Sequence, residues 1–144
     1  MKNYKFRIYI PVLRNSENDG DETELVLKLL NNGSEKAYLT QIVCKNTTTG
    51  QVLTISTSSS EIELNASGGY LLINTKTGEK SVQSYTKVGK AKTNYFSYVD
   101  FATSEWLTLV TGTNEIMVMV TPKDESCLES LEMQIEHTNI YLGV

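Results

Sequence analysis

Few residues of this chain could carry chemistry. There is one histidine, His137. A histidine base needs a nucleophile within reach and a third group to orient it. Neither a GxSxG nor an HExxH pattern is present to supply them. The two cysteines, Cys44 and Cys127, are far apart and form no CxxC pair. They read as ordinary reduced thiols, with a single bridge between them as the alternative. Spacing alone does not join them to His137 as a zinc site. The acidic stretch NSENDGDETE (Asn15–Glu24) invites a calcium reading. Setting Gly20 at the EF-hand glycine puts Asn15, Glu17 and Asp19 at ligand positions. Val26 then falls where the bidentate glutamate belongs, so the loop is not an EF-hand. An irregular calcium site is the alternative. Two facing carboxylates could hydrolyse a glycoside, but nothing marks any pair among the 17 acids. The expectation is no enzyme, no catalytic residue, no metal and no cofactor.

The aromatic residues are the remaining candidates for a site. Tyr95, Phe96, Tyr98, Phe101 and Trp106 lie close together in sequence. Rings on an edge loop could stack on sugar faces, and Tyr95, Tyr98 and Trp106 are the ligand-binding candidates. The competing role is core packing, because each ring buries a large apolar area. Lys87, Lys90 and Lys92 form the one local basic cluster and read as a solvated loop.

Two further stretches resemble each other: NTTTGQ (Asn46–Gln51) and NTKTGE (Asn74–Glu79). Each places a glycine, Gly50 or Gly78, at its fifth position, and apolar runs flank both. Glycine adopts positive φ without steric cost, and Asn or Thr before it can bond the local backbone. The pair reads as two hairpins, each a type I turn with a glycine bulge. A repeat array is excluded, since the similarity ends with the loops and no third copy exists. A phosphate-binding glycine loop would need a helix after it, where a strand is expected.

The elements that hold these residues are β-strands. Ser, Thr and Asn number 41 together, whereas Ala occurs only four times, which suits strands and turns rather than helices. Strands are expected at Tyr4–Val12, Leu25–Leu30, Ala37–Lys45, Val52–Thr57, Glu61–Asn65, Tyr70–Thr75, Lys80–Thr86 and Glu115–Thr121, the last led into by Glu105–Asn114. Both faces of Glu115–Thr121 are apolar, which predicts a central strand covered on both sides. Leu131, Met133 and Ile135 alternate with polar residues, so the C-terminal segment reads as a strand; a helical stripe through Leu128, Leu131 and Ile135 is the alternative. About nine short strands without strand–helix alternation predict an all-β fold. The expected form is one antiparallel two-sheet β-sandwich of jelly-roll or galectin-like type over residues 1–144, with residues 1–22 an extended N-terminal strand and loop.

Composition also bears on partners. A net charge of −4 argues against general nucleic-acid binding. No run approaches the roughly 20 apolar residues of a membrane span. The N-terminal stretch MKNYKFRIYIPVLRN is too short and too charged for a signal peptide. The sequons at Asn32, Asn46 and Asn65 are expected by chance in a chain this rich in Asn, Ser and Thr.

Four stretches taken in order, IVCKNTTTGQVLTI, GGYLLINTKTGEKSV, EWLTLVTGTNEIMV and LEMQIEHTNIYLGV, resemble the C-terminal domain of siphophage distal tail proteins. The resemblance runs from about Ile42 to Val144. The chain departs from the family pattern at Asn74, where the family usually has Asp, and at Ala37-Tyr38, which replaces an Ala-Pro segment. The family's N-terminal ring-forming domain has no counterpart here. The resemblance implies a galectin-like or carbohydrate-module-like sandwich in a virion tail, assembled in the bacterial host. It implies docking to other tail or baseplate proteins, with oligomerisation in the assembled tail; a carbohydrate-binding module or adhesin for cell-surface glycans is the alternative. It also implies structural turns at Gly50, Gly78, Gly112 and Asn114, with Trp106 packed beside the last two.

Overall fold

The computed structural model describes residues 4–12, 24–57, 60–76, 78–123 and 131–138. Among them, ten strands form two antiparallel sheets packed face to face. One sheet runs in the order β1 (Tyr4–Val12), β9 (Gly112–Pro122), β3 (Ala37–Asn46), β4 (Gln51–Ser56). A short β5 (Ile62–Leu64) pairs with the start of β3. The other runs β10 (Leu131–Thr138), β2 (Glu24–Asn31), β6 (Gly69–Asn74), β7 (Ser81–Tyr85), β8 (Ala91–Asn94). The fold is an all-β, antiparallel two-sheet β-sandwich.

Alternation with period two places the core. Leu25, Leu27 and Leu29 of β2 line one inner face together with Leu71 and Ile73 of β6 and Val82 of β7. The opposing layer is Ile116, Val118 and Val120 of β9 with Ile42 and Cys44 of β3 and Leu53 and Ile55 of β4. Each such side chain contributes roughly 1.5–3 kcal/mol by leaving water. In β3 the alternation breaks: Ala37 and Leu39 are buried, then Ile42 and Cys44. The register against β9 slips between Leu39 and Gln41, so a bulge at Thr40 absorbs one residue. That slip keeps both apolar pairs on the inner face, which a regular strand would not allow. The bulge is held by Thr40 Oγ1, which donates to the Thr121 carbonyl at 3.3 Å, and by Thr57 N–H, which donates to the Thr40 carbonyl at 3.0 Å.

Three expectations change in detail. The stretch after Thr86, where no strand is expected, contains β8, whose four residues are all exposed and so show no apolar alternation. β9 is longer than the expected Glu115–Thr121, running from Gly112 to Pro122. β9 is central in its sheet, between β1 and β3, but it is not covered on both sides: Met117 and Met119 on its outer face are half-exposed. Residues 15–23 of the acidic loop, with its calcium ligand candidates, and Cys127 lie outside the described residues. His137 falls on β10.

Candidate functional site

The chain between β8 and β9 crosses from one sheet to the other and closes one side of the sandwich. Tyr95 N–H donates to the Val82 carbonyl of β7, and a 3-10 turn, Phe96–Tyr98, follows. Val99 then bridges to Ile55 on β4. Asp100 and Glu105 N–H groups donate to the Thr54 and Val52 carbonyls, at 2.9 and 2.7 Å. Ser104 Oγ accepts the Thr54 N–H at 2.9 Å. The outer edge of β4 is thereby satisfied, and the aromatic residues are mounted on this strap.

Their placements differ. Tyr95 is 5 % exposed, and its hydroxyl accepts the Glu63 N–H at 3.0 Å. It is a core residue with no face to offer a ligand. Tyr98 is half-buried, tilted against Tyr95, with its hydroxyl 2.7 Å from Ser60 Oγ. Trp106 is half-buried and stacks on Phe96, with centroids 5.7 Å apart and planes 15° from parallel. The Lys80 ammonium lies 6.0 Å from the Trp106 centroid. Phe101 is tilted against Phe96, with centroids 5.3 Å apart, and is 55 % exposed. The three candidates Tyr95, Tyr98 and Trp106 therefore do not form one platform. The surface cluster is Phe101, Phe96 and Trp106.

The turn that displays Phe101 is fixed locally. Asp100 Oδ1 accepts the Ala102 N–H at 3.2 Å, and its Oδ2 accepts the Thr103 hydroxyl at 2.8 Å. This Asp-x-x-Thr pattern is the signal that marks Phe101 as a turn residue rather than a core one.

The four turn residues serve the scaffold. Gly50 and Gly78 have φ of +83° and +82°, although β3–β4 closes through residues 47–50 and β6–β7 through the longer 75–80. The asparagines opening the two words differ more. Asn74 Oδ1 accepts the Lys76 N–H at 3.0 Å. Asn46 is fully buried: its Oδ1 accepts the Thr48 and Thr49 N–H groups, and its Nδ2 donates to the Thr108 carbonyl and to Asn114 Oδ1. Asn114, also fully buried, accepts the Val110 N–H at 2.9 Å and donates to the Val110 carbonyl at 2.7 Å, with longer contacts to Ile10 and Gly112. Gly112, at φ +103°, lets the chain turn around it. The first word and the Gly-x-Asn turn thus meet in a buried amide pair.

Ionisable groups elsewhere are committed to structure. Cys44 is a fully buried free thiol whose pKa burial pushes up to about 12. Glu63 is held below the usual carboxylate range, chiefly by the hydrogen bond from Lys92, whose ammonium lies 3.1 Å away. Glu115 is lowered by the Thr47 hydroxyl first and then by Tyr9. Among the described residues no group of three His, Cys, Asp or Glu side chains could hold a metal ion, and no helix is long and apolar enough to cross a membrane. The aromatic cluster can offer apolar and π contact, which is recognition chemistry rather than proton or electron transfer. No protein-family model matches the chain, and no curated protein or solved structure matches it.

Proposed function

We propose that this chain is a non-enzymatic structural component of a phage or prophage tail or baseplate that docks a neighbouring tail or receptor-binding protein through Phe101, Phe96 and Trp106. The order of the hairpin and turn motifs, which resembles that of the distal tail family, supports the setting. The observation that carries the docking role is Phe101, a ring 55 % exposed on a turn that Asp100 holds rigid. A pre-organised aromatic anchor loses little entropy when buried by a partner. Glycan binding is the competing reading. It is weakened because Trp106 has one face on Phe96 and a lysine near its ring, leaving little open face for a sugar.

The test is binding of the purified chain to recombinant tail and receptor-binding proteins encoded beside it. Phe101→Ser should weaken binding by about 30-fold, as loss of an interface anchor does, with the unfolding midpoint unchanged. Binding to none of those proteins, with Phe101-dependent binding on a glycan array, would replace this function with that of a carbohydrate-binding module.

A further inference from the structure

The side of the sandwich opposite the aromatic strap is built differently. There the two sheets end in β1 and β10, and among the described residues each pairs on one side only, β1 with β9 and β10 with β2. Open strand edges present unpaired backbone donors and acceptors to whatever approaches. The inward-facing side chains of these edges are also incompletely covered. Ile10 and Val12 of β1 are buried, but Phe6 and Ile8 further along the strand are only partly so. Leu131, Met133 and Ile135 of β10 pack against the same core and are likewise partly exposed. Among the described residues, an apolar mouth therefore lies between two edges that each pair on one side only.

The charges beside this mouth differ between its lips. Lys5 and Arg7 point outward from β1, both exposed, beside Tyr9 at 58 % exposure. Arg7 lies 3.8 Å from Glu115 and beside Tyr9, with its side chain about half exposed to solvent. β10 presents exposed Glu132 and Gln134. A two-fold rotation exchanges the lips, placing the basic edge of one copy against the acidic edge of the other.

We propose that two copies of this chain associate mouth to mouth as an isologous dimer, β1 of each lying along β10 of its partner. Such a contact satisfies both edges at once, covers Phe6, Ile8, Leu131, Met133 and Ile135, and pairs Lys5 and Arg7 with Glu132 twice by symmetry. It leaves the aromatic cluster on the far side free, so it is independent of the docking role proposed above.

Sedimentation equilibrium of the full chain over a range of concentration and salt tests this. A species of twice the 16.1 kDa chain mass is expected, weakening as salt rises. The doubly reversed variant K5E/R7E should be folded and dissociate at least tenfold more readily, and adding E132K to it should restore the dimer. A chain that stays monomeric at all concentrations overturns the proposal, including one that instead binds an acidic extended peptide at β1. So does a dimer indifferent to both variants, or one lost with Phe101→Ser.

Discussion

Asn114 accepts one backbone N–H, donates to carbonyls of Val110, Ile10 and Gly112, and meets Asn46, all without access to water. A buried polar group left without its partner costs about 1–3 kcal/mol. Asn114→Ala strands several such groups at once and should destabilise the fold by about 3 kcal/mol, measured by urea unfolding. Asn46→Ala should cost a comparable amount. The double variant should lose less than the sum, because the two amides share a bond. In sequence both residues looked like ordinary turn asparagines, and Asn46 even lies in a sequon. What distinguishes them is burial, which depends on residues some 60 positions away closing over them. Phe101 is the converse case: an apolar residue that belongs to the surface, because Asp100 turns the chain outward there.

At the scale of elements, the two hairpin words were readable because each glycine requirement is local. A Cβ at Gly50 would meet nothing within 4 Å, so only its φ of +83° resists substitution. Gly50→Ala should therefore cost about 1–2 kcal/mol, the price of the left-handed conformation. Gly69 is different. A Cβ there would lie 2.5 Å from the Asn65 carbonyl oxygen and 2.7 Å from its nitrogen, both backbone atoms. Gly69→Ala should be the more damaging of the two, with a lower thermal midpoint than Gly50→Ala. No local pattern in the sequence singles out Gly69, since the close approach arises from how residues 65–69 fold back. β8 escaped sequence reading for a related reason: its residues qualify as a strand by pairing with β7, not by burying a face.

Across the whole molecule, the two sheets are tied at the surface as well as through the core. Glu63 on β5, in one sheet, takes the Lys92 ammonium of β8, in the other, while Lys36 approaches at 3.6 Å. The folded-state pKa of Glu63 is lowered, so its contribution is fully present above the ordinary glutamate value of about 4.3. It is lost as pH falls through the folded value. Thermal midpoints followed from pH 6 to pH 3 should fall more steeply for the natural chain than for Glu63→Gln, by a modest amount because the group is largely solvated.

Sequence by itself determined the class of this protein. Period-two alternation and glycine turns are short-range properties, and they specified strands, hairpins and an all-β sandwich. The tertiary structure alone decided which strands became edges, that the Thr40 bulge would reconcile two halves of β3, and that Asn46 and Asn114 would share one buried site. It alone separated Tyr95, in the core, from Phe101, in solvent. Those outcomes depend on contacts between residues distant in the chain, and no local pattern encodes which distant neighbour will cover a given side chain.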